Sequence, residues 1–308
     1  MSLIERAINR LGRKGPAADP ASAARSGISV AAAPSKATSE SESRQQHIPP
    51  TLVAVTDNGP ELPVLQIDPG ILTARGHTAH ETASRLGHEF RIIKRPLLSN
   101  AFGANSKNVT NGRRIMVTSA LPGEGKSFCA INLALSIAAE RDTSVLLVDA
   151  DVAKPSFPVE LGIPAGRGLM DWLVDPTIDI AQLVSNTSIP GLSVMTAGMH
   201  HTLATEYLAS TAMTRLLDML SQRYPDRILI FDSPPLLLTT EARVLAQHMG
   251  QIVLVVEAGR TSRQAVDDAL STIQSCEVIN LLLNKAHGFG KTPGYGQYGY
   301  GYGYGAPT

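Results

Sequence analysis

Residues 115–135 read IMVTSALPGEGKSFCAINLAL: an apolar β-rich run, a short glycine-bearing loop, then a helix former. From position 120 to Ser127 the loop follows the spacing G-x-x-x-x-G-K-[ST], with Ala120 where the first glycine is usual. Such a loop aims successive backbone N–H groups at phosphate oxygens, and the helix behind it adds its positive end. Gly123 and Gly125 let the backbone come close with no Cβ in the way. Lys126 is then placed to reach the β- and γ-phosphates of ATP, and Ser127 to offer an oxygen to Mg²⁺. The expected nucleotide contacts run through Pro122, Gly123, Glu124, Gly125, Lys126, Ser127 and Phe128. A small residue at Ala120 is compatible with this if its backbone torsion stays ordinary.

Two later β-rich runs end in acids. VLLVDADVAKP puts Asp149 and Asp151 at the carboxyl end of a strand, and ILIFDSPPLL does the same for Asp232. Carboxylates there can hold Mg²⁺ or its waters, and one can accept a proton from an attacking hydroxyl. Any one of them alone could be a helix cap or turn acid; all three beside a phosphate loop point to chemistry.

Around these runs, residues 113–286 alternate strand and helix candidates. The strands are RRIMVTS, SVLLVDA, LSVMTAG, RILIFDS, QIVLVVE and INLLLNK; the helices lie near 126–140, 206–223, 240–248 and 262–275. Nearly continuous apolar strands are those covered on both faces by helices. The expectation is an α/β fold, a doubly wound and mostly parallel sheet of the P-loop NTPase kind, with ligands at the strands' carboxyl ends. Ahead of it, residues 61–112 form an extension with an interaction helix over 81–98. There Leu86, Phe90, Ile93 and Leu97 share a face, Pro96 falls near the end, and His88, Glu89, Arg91, Lys94 and Arg95 line the exposed side. That charged side reads as a solvated face or a subunit contact.

The two ends differ in composition. Residues 1–12, MSLIERAINRLG, form a short amphipathic helix that needs something to dock on. Residues 13–60 are rich in Ala, Ser, Pro and Gly and read as a disordered N-terminal tether. Residues 287–308 form a Gly/Tyr-rich C-terminal tail, also expected to be disordered, carrying Tyr295, Tyr298, Tyr300, Tyr302 and Tyr304.

Lys+Arg (27) balances Asp+Glu (27) over 308 residues, so no bulk field advertises a nucleic-acid partner. No apolar stretch reaches the roughly 18–20 residues that span a bilayer, and the start lacks a signal peptide's apolar run. The expected location is therefore the cytoplasm, with any membrane connection made through a partner. The two cysteines, Cys129 and Cys276, read as buried free thiols.

ALPGEGKS, VLLVDADVAKP and ILIFDSPP resemble the Walker A, A′ and B motifs of the bacterial tyrosine kinases, over roughly residues 80–308. MSLIERAINRLG, EFRIIKRPLL and DADVAKPS look most like the exosortase-associated autokinase branch of exopolysaccharide systems. The resemblance implies a homo-oligomer in which one subunit, using ATP and Mg²⁺, phosphorylates the tail tyrosines of its neighbour. It implies that Lys126 binds phosphates and that Ser127 and Asp232, with Asp149, organise the metal. Asp149 would take the tyrosine proton, with Asp151 assisting metal or base, and Asn284 would contact adenine. It further implies recruitment to the inner face of the membrane by the cytoplasmic segment of a polysaccharide co-polymerase, a separate chain. Two features depart from that pattern: Ala153 and Lys154 follow the DxD acids where many relatives carry Arg, and His88, Arg91 and Lys94 replace an ExxRxxR helix motif.

Two alternatives stand beside the kinase. One is a P-loop ATPase switch of the partition type, which places a signature Lys where this chain has Leu121. The other is an ATP-binding adaptor of a co-polymerase.

Overall fold

The computed structural model describes residues 64–286 apart from 79, 82, 83 and 104. The expected amphipathic helix over 1–12, the tether and the tyrosine tail lie outside the described residues.

Seven strands form one sheet: β1 (Arg114–Ser119), β2 (Ser144–Asp149), β3 (Ser185–Asn186), β4 (Leu192–Met195), β5 (Arg227–Asp232), β6 (Gln251–Glu257) and β7 (Val278–Asn284). Their order is β3-β4-β2-β5-β1-β6-β7, and every neighbouring pair is parallel except the short β3 against β4. Along the inner strands successive residues enter two different cores. Met116, Leu146, Val148, Leu229, Phe231, Ile252 and Leu254 face one, while Ile115, Val117, Val145, Leu147, Ile228, Ile230, Val253 and Val255 face the other. This two-sided burial is why these strands read as unbroken apolar runs.

The helices are α1 (Pro69–Ala74), α2 (Arg85–Ala101), α3 (Lys126–Ala138), α4 (Phe157–Glu160), α5 (Leu169–Val174), α6 (Ala204–Leu208), α7 (Thr211–Arg223), α8 (Glu241–Ala246) and α9 (Arg263–Ser271). α3, which follows the phosphate loop, is buried continuously from Cys129 to Ala138. A helix apolar on all sides must be covered on all sides. The sheet covers one side of it and α2 the other, with Phe90 and Leu97 of α2 and Leu72 of α1 in the same core as Ile131 and Leu135.

The helix expected over 206–223 is two helices, because Ser210 is extended (φ −81°, ψ 163°) and its hydroxyl donates to the Tyr207 carbonyl. α2 starts later than expected, where the Ser84 hydroxyl accepts from the Gly87 N–H. It also runs past Pro96 to Ala101. Pro96 and Ile92 both lie on the exposed side, so the carbonyl that loses its intrahelical donor can turn to water. The charged stripe needs one correction: Lys94 is buried, not exposed. Its ammonium donates to the Ser136 carbonyl near the end of α3 and pairs with Glu140 at 2.8 Å. Spacing placed Lys94 beside the other charges, but α2 packs so closely on α3 that this position faces the negative end of a neighbouring helix.

Cys129 lies within α3 and Cys276 just beyond α9; both are buried and free, and burial pushes the Cys129 thiol up to about 12.

If α2 helps hold the domain together, truncating Phe90, 3% exposed, should be costly. Phe90→Ala is expected to lower stability by about 3–5 kcal/mol in urea unfolding. A loss under about 1 kcal/mol would mean that α2 rests on the domain without helping to hold it.

Candidate functional site

The phosphate loop bridges the end of β1 and the start of α3. Gly123 and Gly125 take φ of 84° and 94°, in the left-handed region that favours glycine. Among the described residues the non-glycine positions with positive φ are Asn111 and Lys285, so Ala120 keeps an ordinary torsion. Ala120 is fully buried, and its carbonyl accepts from the Leu237 N–H at 3.2 Å. The first turn of α3 leaves its N–H groups without intrahelical acceptors, facing the space beside the loop.

The sheet register brings the acids together. Asp149 and Asp232 are direct partners on neighbouring parallel strands, β2 and β5. Lys126 reaches this corner from α3, with its Nζ 2.7 Å from Asp151 Oδ2, 3.8 Å from Asp232 Oδ1 and 3.2 Å from Ser127 Oγ. Asp149 Oδ2 accepts from the backbone N–H groups of Ser156 (2.9 Å) and Phe157 (3.1 Å), and its Oδ1 from that of Asp151 (3.3 Å). Asp232 is fully buried; its Oδ2 accepts from the Ser156 hydroxyl at 3.5 Å, while Oδ1 has no hydrogen-bond partner.

Electrostatics follow from this crowding. Burial, reinforced by the charge of Asp232, raises Asp149 to about 7, against the pull of the Phe157 and Ser156 N–H groups. Burial raises Asp232 to about 6, partly offset by the charge of Lys126 and by the neighbouring Ser127 hydroxyl. Burial by itself would lower Lys126, but Asp232, Asp151 and Asp149 together hold it above its ordinary value. A carboxyl group near 7 is matched to proton transfer at neutral pH.

Lys126, Ser127, Asp149, Asp151 and Asp232 thus meet in one pocket. Three other sequence candidates point their side chains elsewhere. The Phe128 ring packs 5.5 Å from that of His77, so only its backbone faces the loop. Glu124 is 2% exposed, and its carboxylate accepts from the Leu121 N–H at 2.7 Å, inside the loop. The Asn284 amide donates to the Glu124 carbonyl at 2.8 Å. Pro122 sits exposed at the loop's tip.

The sequence reading missed Ser156, which serves both carboxylates, and His77, whose fully buried ring joins Asn132 of α3 (3.1 Å) to Glu160 of α4 (3.1 Å). Ser156 was discoverable from its place just after the DADVAKP run. His77 carried no such signal, since its partners lie 55 and 83 residues away.

Among the described residues no three His, Cys, Asp or Glu side chains are grouped to hold a metal ion by themselves. Mg²⁺ bound beside nucleotide phosphates needs only one or two carboxylates, and the orphaned Asp232 Oδ1 next to Ser127 fits that demand.

A phosphate loop between a central parallel strand and its helix, with acids at the ends of two nearby strands, defines a P-loop nucleotide-binding protein. A family model described as "ParA: NUBPL iron-transfer P-loop NTPase" matches residues 110–282. Within that class the chain is 32% identical to the tyrosine-protein kinase YwqD of Bacillus subtilis, over 61% of this chain and 78% of that one. It is 27% identical to the putative tyrosine-protein kinase CapB of Staphylococcus aureus, over 66% of this chain and 85% of that one. It spans 25% of the putative tyrosine-protein kinase EpsB of Ralstonia nicotianae at 32% identity. Among solved structures it superposes on the chimerical protein CapA2B2 with a TM-score of 0.59 at 27% identity, covering 72% of this chain and 93% of that one. The BceF tyrosine kinase domain gives 0.55 at 25% identity, covering 71% and 90%. The chain belongs to the bacterial tyrosine-protein kinases.

The raised carboxyl groups make a prediction about pH. The folded chain keeps protons on Asp149 and Asp232 that the unfolded chain releases, so stability should fall as pH rises from about 4 to about 7. Asp232→Asn should flatten that fall and add on the order of 2 kcal/mol at pH 7.5, measured by urea unfolding across the range. An unchanged pH slope would mean that Asp232 is ionised throughout.

Proposed function

We propose that the chain is an ATP-dependent protein-tyrosine autokinase whose acceptors are the tail tyrosines Tyr295, Tyr298, Tyr300, Tyr302 and Tyr304 of a neighbouring subunit. The observation that carries the reading is the cluster itself: a phosphate-loop lysine 2.7 Å from Asp151, beside a carboxyl group raised to about 7 at Asp149. Lys126 and the loop N–H groups would hold the phosphates, with Lys126 leaving Asp151 to do so. Ser127 and Asp232, with Asp149, would hold Mg²⁺, which supplies positive charge against the phosphate oxygens when bound. Asp149 would take the tyrosine proton, with Asp151 assisting, as the phenolic oxygen bonds to the γ-phosphorus and the bond to the β–γ bridging oxygen breaks, releasing ADP.

The tail contains no Asp or Glu, and each phosphotyrosine adds roughly −1.5 to −2 charges. Repulsion between phosphorylated tails would then loosen a homo-oligomer, a switch suited to regulating exopolysaccharide polymerisation or export. Among the described residues no helix is long and apolar enough to cross a membrane. A separate co-polymerase chain would recruit this one to the inner face of the membrane through its cytoplasmic segment. The match to the ParA P-loop NTPase model favours a second reading, an ATPase switch without tyrosine transfer.

Phosphotyrosine mass spectrometry on the full chain with Mg-ATP, with and without the co-polymerase segment, separates the two readings. The kinase reading expects tail phosphotyrosine that falls at least about a hundredfold in Lys126→Ala. It also expects truncation of residues 290–308 to abolish labelling while ATP binding persists. ATP hydrolysis without phosphotyrosine under both conditions would leave the switch.

A further inference from the structure

The phosphate loop is gripped from outside by residues that have no place in the chemistry above. Lys285 donates from its Nζ to the Gly123 carbonyl at 2.7 Å, and Asn284 from its amide to the Glu124 carbonyl at 2.8 Å. Both sit at the carboxyl end of β7, the edge strand. From the loop after β6, the Thr261 hydroxyl donates to Glu124 Oε1, while the Thr261 oxygen accepts from the Glu257 N–H at 3.1 Å. Glu124 Oε2 accepts from the Leu121 N–H, so both oxygens of this buried carboxylate are used to brace the loop. Glu257 closes the ring by pairing with Lys285 at 3.2 Å.

The geometry has a consequence for the loop's donors. In a trans peptide the carbonyl and the following N–H point in opposite directions. Holding the Gly123 and Glu124 carbonyls towards β7 therefore turns the Glu124 and Gly125 N–H groups the other way, towards the phosphate side. Lys285 adopts φ 55°, a costly torsion for a lysine, and the bonds of its ammonium and of its N–H, which donates to Asn284 Oδ1 at 2.9 Å, hold it there.

We propose that Thr261, Asn284 and Lys285 are positioning residues that hold the loop's N–H groups turned towards the nucleotide phosphates. Asn284 thus acts on the phosphates through the loop and not on the base. The inference rests on the reading that this loop binds ATP.

The test titrates the full chain with a fluorescent ATP analogue in the presence of Mg²⁺ and then displaces it with ATP or with tripolyphosphate, which has no base. Asn284→Ala is expected to weaken ATP and tripolyphosphate by the same factor, about tenfold. A loss confined to ATP would return Asn284 to adenine and overturn its assignment here. Thr261→Val, which keeps the shape but not the hydroxyl, is expected to weaken both ligands about tenfold, and Thr261→Ser to restore them to within about twofold. Valine and serine variants that bind alike, whether as well as the parent or equally poorly, would overturn the role of the Thr261 hydroxyl. A parent chain that binds neither ligand would overturn the reading of the loop as well.

Discussion

Lys126 brings one positive charge into a pocket holding Asp149, Asp151 and Asp232, so full ionisation would bury three negative charges against one. Water cannot disperse that excess, because Asp149 and Asp232 are fully buried and Asp151 nearly so. Buried like charges this close raise one another's proton affinity until some stay neutral. The site lowers that cost with backbone N–H groups on Asp149, the Ser156 hydroxyl on Asp232 and the direct Lys126–Asp151 pair. The turn from Asp149 to Phe157, the placement of Ser127 and the burial of the P-loop helix all serve this balance. A triphosphate with its counter-ion would compete for the same lysine and relieve the same repulsion, which joins nucleotide binding to the protonation of the acids.

A second layer of structure keeps the loop and its helix in place. α3 has no solvent face of its own, since α1 and α2 cover what the sheet leaves open. α1 and α2 therefore complete the wall behind the phosphate-loop helix, and Lys94 and His77 tie that wall to it. Lys94 closes the carboxyl end of α3, and His77 links α3 to the helix after the first pair of acids. On the opposite edge, β7 and the loop after β6 hold the phosphate loop by its carbonyls.

Much of this was legible in the chain. The six long strands were read within a residue or two at their starts, and Lys126, Ser127, Asp149, Asp151 and Asp232 were each named from local pattern. Local pattern sufficed because each of these residues belongs to a strand–loop–helix unit whose spacing sets its position. What local pattern does not reach has a different cause. Helical spacing puts Lys94 on the exposed side, and nothing nearby in sequence marks the bonds by which Glu124 and Asn284, both read as nucleotide contacts, brace the loop. In each case the side chain answers to a partner far along the chain: Ser136 and Glu140 for Lys94, Thr261 for Glu124, and Glu124 itself for Asn284.

Periodicity and turn chemistry act over a few residues, and they were enough to determine the parallel α/β sheet, the phosphate loop and the strand ends that carry acids. They could not determine which charges would be buried or how far two carboxyl groups would be pushed towards neutrality. Nor could they identify the side chains that grip the loop from behind. Those outcomes depend on strand order and register, which set Asp149 beside Asp232 and β7 beside β6. Strand order is settled by packing across the whole chain, where the energy of a contact bears no relation to its distance in sequence.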